Sequence, residues 1–118
     1  MNPSSISIRR GDIFWVNLNP ARGSEQAGRR PVVVLQNDIG NEVAPTTIVA
    51  PLSTKSFSKD YPTNVRLPKG TAGLPADSTA LLSQIRTIDK TRLEKKIGHL
   101  PDSYKQAVNQ AVKVSLGL

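Results

Sequence analysis

The sequence has no cysteine, one histidine, few aromatic residues and no long apolar run. Without cysteine the chain cannot form disulfides, a thiolate nucleophile, a zinc ribbon or an iron–sulfur cluster. The single histidine, His99, excludes a multi-histidine metal site and argues against a Ser-His-Asp hydrolase. No apolar run approaches the roughly 18 residues of a membrane span, and the N-terminus lacks the apolar segment of a secretory signal. We therefore expect a cytoplasmic protein with no membrane association, no bound metal and no cofactor.

Positive charge is in excess: 16 Lys and Arg stand against 9 Asp and Glu in 118 residues, a net charge of +7. An isoelectric point near 10.2 is typical of a small domain that binds a polyanion. Composition fits equally well with a basic surface that serves only solubility. The excess charge is spread over both halves of the chain, so folding would have to assemble any nucleic-acid site. The length predicts one domain over residues 1–118.

Runs of β-forming residues predict strands over residues 12–18, 31–36, 46–52, 63–67 and 79–87. The run PVVVLQ at 31–36 is nearly continuous in apolar residues, as in a strand buried on both faces. Pro51 indicates an edge position or a strand end. Residues 2–7 are expected to be disordered, and residues 37–45 to form a connection.

The C-terminal segment predicts a helix that starts near Pro101 and Asp102 and stops at Gly117. Its apolar stripe consists of Tyr104, Ala107, Val108, Ala111 and Val112. A second helix start is predicted at Asp89. Several short strands with a helix behind them indicate a mostly-β or α+β domain, built as a small, strongly bent sheet or open barrel.

The polar loop before the second strand concentrates groups that could do chemistry. Glu25, Arg29 and Arg30 lie among glycines, directly before a buried strand that would hold them in place. An arginine here could clamp a phosphate and neutralise charge that develops in phosphoryl transfer, and Glu25 could accept a proton. On these residues alone, a solvated turn with a surface ion pair is the favoured interpretation.

Two further clusters have both a functional and an ordinary interpretation. The hydroxyls of Ser53 and Thr54 could orient a phosphate, or could only bond the backbone of a turn. The amide of Gln84 could contact a base edge, or could satisfy nearby backbone. Arg86 begins a basic run to residue 96 that could follow a phosphate backbone or form a solvated helix face.

Aromatic residues offer platforms on which unpaired bases could stack. Either Phe14 or Trp15 must be buried, because neighbouring strand residues point to opposite faces. Phe57 and Tyr61 lie in a polar loop and are the better candidates for ligand contact. His99 precedes the last helix and is interpreted as a structural or surface residue.

Three motifs in order resemble the MazF/PemK/Kid toxin family over residues 10–116. They are GDIFW at 11–15 with LNP at 18–20, GSEQAGRRPVVV at 23–34, and QIRTID at 84–89. The resemblance implies a small, strongly twisted SH3-like barrel of the MazF/PemK/CcdB type with a C-terminal helix, forming a homodimer. It also implies a type II toxin that cleaves single-stranded messenger RNA at a short sequence, independently of metal and of the ribosome. Its implied partner is a MazE-type antitoxin, whose acidic C-terminal segment fills the RNA groove.

The resemblance also assigns roles to residues. Arg30 matches the family's catalytic arginine, Ser53 its catalytic Thr or Ser, and Glu25 a loop glutamate implicated in some members. The implied reaction is attack of the ribose 2′-OH on the adjacent phosphate, which gives a 2′,3′-cyclic phosphate and a 5′-OH end. The Kid-like branch uses a His and an Asp where this chain has Ser24 and Ser83, so that acid–base pair is missing. The expected RNA contacts are Ser24, Gln26, Arg29, Thr54, Phe57, Tyr61, Gln84 and Arg86.

Two other functions remain open from the sequence. CcdB-like toxins share the expected fold and act on DNA gyrase without cutting RNA. A basic barrel could also bind nucleic acid with no chemistry, and its affinity would then fall steeply with salt.

Overall fold

A computed structural model describes residues 7–118, and the expected disorder over residues 2–7 falls outside that range except for Ser7. The chain forms a seven-stranded sheet with strand order β4-β5-β3-β2-β1-β7, in which β6 also pairs with β3. All strand pairs are antiparallel. The strands are β1 (Asp12–Asn17), β2 (Arg29–Val34), β3 (Thr46–Ser53), β4 (Asn64–Leu67), β5 (Ser78–Leu81), β6 (Arg86–Asp89) and β7 (Leu93–His99). The helices are α1 (Asp38–Val43) and α2 (Asp102–Leu116).

The predicted fold class is confirmed: a mostly antiparallel sheet with a C-terminal helix. The sheet is not closed into a barrel, since β4 and β7 stand at opposite ends of the strand order. The helix α2 stops at Gly117, whose φ of 72° is the left-handed conformation that glycine adopts readily. Of the predicted apolar stripe, Val108 and Ala111 are buried, whereas Ala107 is exposed and is a wrong assignment.

The core lies on both faces of the sheet, and β2 contributes to each. Val33 packs in one cluster with Ile13, Leu52 and the α2 residue Val108. Val32 and Val34 belong to the other, which also contains Phe14. The prediction of a strand buried on both faces is therefore confirmed for Val32, Val33 and Val34, whereas Pro31 is only partly buried and residues 35–36 lie beyond the end of β2. Phe14 is fully buried and Trp15 only partly, which settles which of the two neighbours is core.

The central strand β3 changes partner along its length. On one side it pairs with β2, and on the other with β6 up to Val49 and with β5 from Leu52. Pro51 lies in the gap between these two partners, where its missing N–H breaks no ladder bond. Of the two positions expected for Pro51, the edge is wrong because β3 is central, whereas the strand end agrees with the structure, since β3 ends at Ser53.

Four other predictions of local structure need correction. Residues 37–45 contain the short helix α1, which Asn37 caps by accepting from the Gly40 N–H at 2.8 Å. The predicted strand over 79–87 is two strands, β5 and β6, separated by a turn. Asp89 caps a single 3₁₀ turn over Lys90–Arg92, not a longer helix. The charged residues after it form the strand β7.

Candidate functional site

The loop between β1 and β2 is closed at its base by two hydrogen bonds. Leu18 N–H donates to the Gly28 carbonyl at 2.9 Å, and Gly28 N–H donates to Asn19 Oδ1 at 3.0 Å. Gly28 has a φ of 78°, a backbone conformation that residues with a side chain rarely adopt. Residues 19–27 therefore project from the sheet as a loop with a fixed base.

The turn between β5 and β6 contacts the tip of this loop. Gln84 Oε1 accepts the Gln26 N–H at 2.8 Å, and Gln84 Nε2 lies 3.5 Å from the Ser24 carbonyl. Arg86 Nη1 donates to the Leu18 carbonyl at 3.3 Å. The structure thus brings together the GSEQ and QIR motifs, which lie about 60 residues apart in sequence.

Arg30 connects the loop to the end of β3. Its Nε donates to the Ala27 carbonyl at 2.9 Å, and its Nη1 lies 3.4 Å from the Leu52 carbonyl. Ser53 follows Leu52 directly and is 5% exposed, with its Oγ accepting the Lys55 N–H at 3.1 Å. A guanidinium has five N–H donors, so this geometry leaves donors of Arg30 available for an anion beside Ser53. The juxtaposition of Arg30 and the end of β3 could not be derived from residue spacing.

Glu25 bonds within its own loop. Its Oε1 accepts the Arg22 N–H at 2.6 Å, and the side chain is exposed. No hydrogen bond joins Glu25 to Arg30 within residues 7–118. Ser24 is exposed beside it.

A groove of about 610 Å³ runs along the loop and the β5–β6 turn, and we call it the loop groove. Glu25 is the one carboxylate among the residues that line it. Its lining includes five of the residues expected from the sequence to act on RNA: Ser24, Glu25, Gln26, Gln84 and Arg86. The remaining walls, which no sequence motif marks as RNA contacts, consist of Leu18, Pro20, Arg22, Pro51, Ser83 and Ile85.

A second groove of about 420 Å³ begins just after Ser53, and we call it the hairpin groove because β4 and β5 form one wall. Thr54, Lys55 and Phe57 line it on the loop side, and Arg66 and Thr79 on the strand side. Phe57, Arg66 and Thr79 also border an adjoining cavity of about 120 Å³. Tyr61 lines that adjoining cavity.

Arg66 and Thr79 escaped the sequence-based analysis. Thr79 lies opposite Ser53 in the β3–β5 pair, a register that the sequence does not specify. Arg66 follows from the alternation of β4, which places its side chain outside the core between buried Val65 and Leu67. That alternation is the sequence signal that could have identified Arg66 as a residue outside the core.

Arg29 differs from the other predicted RNA contacts because its charge is already engaged. Its Nε lies 2.6 Å from Glu94 Oε1, and its guanidinium carbon lies 4.5 Å from the centre of the Trp15 ring. This arrangement joins β1, β2 and β7 at the base of the loop.

The resolved pKa shifts belong to carboxylates outside both grooves. The N–H of Arg10 bonds to Asp38 and lowers the pKa of that carboxyl. The side chain and N–H of Thr91 bond to Asp89 and lower the pKa of its carboxyl. Both effects favour the charged forms at the starts of α1 and of the 3₁₀ turn.

In the part of the chain that the structure describes, no three His, Cys, Asp or Glu side chains cluster as cation ligands would. No helix among residues 7–118 is long and apolar enough to cross a membrane.

The arrangement brings a cationic guanidinium and a buried hydroxyl together at the junction of two grooves. Such a pair can hold a phosphodiester and offset charge that develops on its oxygens. The aromatic ring of Phe57 and the cations of the hairpin groove suit a flexible, single-stranded polyanion.

Comparisons with known proteins agree with this geometry. Residues 9–116 match the model of a family described as PemK-like, MazF-like toxin of type II toxin-antitoxin system. The chain is 47% identical over 111 residues to Endoribonuclease MazF of Staphylococcus saprophyticus, covering 94% of this chain and 92% of that protein. It is also 47% identical over 111 residues to Endoribonuclease EndoA of Bacillus subtilis, covering 94% and 96%.

Solved structures of MazF proteins share this fold at lower sequence identity. The crystal structure of MazF from Deinococcus radiodurans superimposes with a TM-score of 0.80 at 26% identity, covering 95% of this chain and 98% of that one. A MazE–MazF crystal structure from the same organism gives a TM-score of 0.73 at 28% identity, covering 95% and 97%.

Proposed function

The chain belongs to the family of PemK-like and MazF-like toxins of type II toxin–antitoxin systems and is an endoribonuclease, and from this we propose that it cleaves single-stranded messenger RNA at a short specific sequence. Endoribonuclease activity sets aside the two interpretations without RNA cleavage, a CcdB-like gyrase toxin and a purely binding barrel. The proposed cleavage needs neither the ribosome nor a metal ion. The cytoplasm is the compartment that holds this substrate.

One observation supports the position of the reaction: Arg30 Nη1 reaches the Leu52 carbonyl, beside Ser53 and between the two grooves. An RNA strand that fills both grooves would pass this point. Ser24 and Gln26 would contact it in the loop groove, and Thr54, Phe57 and Tyr61 on the other side. Arg29 would act mainly through its ion pair with Glu94, which holds the base of the loop.

The proposed reaction uses a nucleophile that RNA itself supplies. The ribose 2′-oxygen forms a bond to the adjacent phosphorus, and the bond from phosphorus to the 5′-oxygen breaks. The 2′-OH proton leaves to a base and the departing 5′-oxygen gains a proton, so the products are a 2′,3′-cyclic phosphate and a 5′-OH end. Because no water has to be activated, no metal-bound hydroxide is required.

Each side chain has a distinct part in this reaction. Arg30 binds the phosphate oxygens and offsets the charge that builds up in the pentacovalent state. Ser53 orients the phosphate or the 2′-OH. Glu25 is proposed as the base, since it is the carboxylate that lines the loop groove.

The proposed partners follow from charge and from family membership. A MazE-type antitoxin would place its acidic C-terminal segment in the basic grooves and so exclude RNA. The active toxin is proposed to be a homodimer. Light scattering tests this directly, because a mass near 12.8 kDa rather than twice that value would contradict it.

The experiment uses purified, metal-free protein and a long unstructured RNA, with cuts mapped by primer extension and their ends tested chemically. We expect discrete cuts with 5′-OH ends, unchanged by excess EDTA. Arg30→Ala should fold normally and cut at least about 10²-fold more slowly, because it removes the donor to the developing oxyanion. Lys113→Ala, an exposed change on α2, is the matched control and should cut normally.

Three results would contradict the proposal. Wild-type cleavage by Arg30→Ala would remove Arg30 from the mechanism. Inhibition by EDTA that magnesium reverses would refute metal independence. Intact RNA after incubation with folded, antitoxin-free protein would refute the proposed substrate.

A further inference from the structure

The tip of the β1–β2 loop has very few attachments to the rest of the molecule. Its base is fixed at residues 18, 19 and 28, and Arg22 and Glu25 bond only to each other. Among the hydrogen bonds of residues 7–118, only those of Gln84 join residues 22–26 to another element. The position of this tip over the loop groove therefore depends on one side chain.

Gln84 itself is held firmly. Its N–H donates to the Leu81 carbonyl at 3.0 Å and closes the turn between β5 and β6. Both strands pair with β3, on either side of the gap that Pro51 occupies. The amide of Gln84 thus extends from a turn anchored on β3 to the loop tip at residues 22–26, which no other hydrogen bond among residues 7–118 joins to another element.

The side-chain amide of Gln84 forms its hydrogen bonds with the protein backbone. Gln84 Oε1 accepts the Gln26 N–H, and Nε2 faces the Ser24 carbonyl. A glutamine that reads a base edge uses its oxygen and nitrogen together as a bidentate pair. Each atom keeps one further bonding position, so only a bidentate contact through this same edge of the amide would compete with the bonds to Ser24 and Gln26.

On the basis of the proposed function, we infer that Gln84 is a positioning residue, whose side-chain amide sets the conformation of the β1–β2 loop rather than reading RNA. Its effect on cleavage is exerted through Glu25 and the neighbouring loop residues. This role differs from the RNA contact expected of Gln84 from the sequence, which stays a prediction that the cleavage kinetics below distinguish from it. Small displacements of reacting groups are costly, so a misplaced loop slows the reaction without abolishing binding.

The first test measures the loop itself, in the free protein, by hydrogen exchange of the Gln26 amide followed by NMR. Gln84→Ala should speed this exchange by about tenfold, since the N–H loses its acceptor. Gln84→Glu keeps an oxygen at the same reach and should preserve the protection. Thr87→Ala, an exposed change on β6, is the control and should exchange as the wild type does.

The second test measures cleavage kinetics on an RNA that contains the mapped site. Gln84→Ala should lower kcat by about 10²-fold, change KM little and leave the cut sequence unaltered. Gln84→Glu should recover most of kcat. Equal exchange of the Gln26 amide in wild type and Gln84→Ala would overturn the inference, as would a changed cut sequence in either variant.

The two tests separate this inference from the proposed function. If the wild-type protein fails to cut RNA, the proposed function fails, while hydrogen exchange still decides whether Gln84 positions the loop. If Gln84→Ala does not fold, Gln84→Glu still decides, because slowed cleavage with a new cut sequence would indicate direct reading of RNA.

Discussion

At the scale of single residues, the most constrained charge in the molecule is Asp12, whose carboxylate is completely buried in β1. It lies 2.7 Å from His99 Nδ1 and 3.2 Å from Lys96 Nζ, and it accepts the Arg9 N–H at 2.8 Å. Lys105 Nζ lies 3.2 Å from His99 Nε2. Because an ammonium only donates, a bond from Lys105 needs His99 Nε2 as its acceptor, and a donor on Nδ1 would then face Asp12.

Loss of the Asp12 carboxylate should destabilise the protein more than loss of an exposed one. We expect Asp12→Ala to lower the free energy of unfolding by about 1–3 kcal/mol, because the part-exposed groups of Arg9, Lys96 and His99 lose the buried charged acceptor that they share. Asp12→Asn keeps an acceptor oxygen and should lose less. Denaturant unfolding measures both.

Asp102 provides the control for this prediction. It lies 3.2 Å from Lys105, at the far end of the same chain of polar groups, but its side chain is 91% exposed. Asp102→Ala should therefore cost less than about 1 kcal/mol. If Asp12→Ala and Asp102→Ala lower the free energy of unfolding equally, burial of the Asp12 carboxylate adds nothing to the stability of the fold.

Individual residues were predictable from the sequence only where a local motif marked them. The GSEQ loop with Arg30, and Gln84 before Arg86, stand out because polar residues interrupt apolar runs. The partnership of Asp12 with His99 spans 87 positions and depends on the register of β1 and β7, so no local pattern reveals it. The proximity of Arg30 to Ser53 depends likewise on the β2–β3 pair.

At the scale of elements, β7 and the 3₁₀ turn over Thr71–Gly73 lie unusually close together. A Cβ built on Gly98 would be 2.0 Å from the Ala72 carbonyl oxygen, and one on Gly73 would be 3.0 Å from the Ile97 carbonyl oxygen. The obstructing atoms belong to backbone, which cannot rotate away as a side chain can. Glycine at 98 is what lets this turn pack on the end strand of the sheet.

Gly98→Ala should therefore displace the turn from β7. We expect the free energy of unfolding to fall by about 1–3 kcal/mol, the usual cost of overpacking, with faster amide exchange at Leu74. Gly40→Ala is the matched control. Its Cβ would lie 3.0–3.1 Å from atoms of the Gln36 side chain, which must shift against the bonds of Nε2 to Asn41 and Thr46, so Gly40→Ala should cost less than the backbone clash at Gly98.

If Gly98→Ala and Gly40→Ala lower the free energy of unfolding equally, the close approach of β7 to the 3₁₀ turn does not explain the need for glycine at position 98. Exchange at Leu74 separates a local effect from a global one, because its N–H bonds to the Thr71 carbonyl within the turn.

Elements were predictable where burial dominates the sequence pattern. The valines of β2 and the amphipathic helix α2 have strong periodic signals, and both form as predicted. The break between β5 and β6 was missed because apolar residues continue through it, and Ser83 and Gln84 alone mark the turn. β7 was missed because an end strand tolerates charge, so the sequence LEKK looks like a polar helix face.

At the scale of the whole molecule, the net charge of +7 lies on a body with extents of 44 × 29 × 29 Å. Arg22 and Arg86 line the loop groove, and Lys55 and Arg66 line the hairpin groove. The sequence predicted that folding would have to assemble a basic site. It could not predict that the cationic side chains would line two separate grooves. The conformations of the loops decide which cationic side chains line which groove.

The affinity for RNA should depend on salt in proportion to these contacts. For an RNA of the cut sequence made uncleavable by 2′-O-methyl groups, we expect the logarithm of affinity to fall linearly with the logarithm of salt concentration. Lys55→Gln should reduce the slope by about 0.7, the contribution of one phosphate on a single strand, because Lys55 lines the hairpin groove, whereas Arg66 is already paired with Asp60 at 2.7 Å. Fluorescence anisotropy at several salt concentrations gives the slopes.

Lys113→Gln removes one charge from α2 and lines neither groove, so its slope should match the wild type. Equal reductions in both variants would mean that net charge, rather than contact in the hairpin groove, sets the salt dependence.

The closed base of the β1–β2 loop also has an evolutionary consequence. Because the bonds among Leu18, Asn19 and Gly28 seal the loop from the strands, residues inside it can be exchanged, inserted or deleted while the strand register stays the same. Loop closure entropy changes slowly with length, so such changes are cheap for the scaffold. We therefore expect side chains of this loop to be exchangeable while Gln84 stays unchanged, because Gln84 bonds to the loop backbone and not to its side chains.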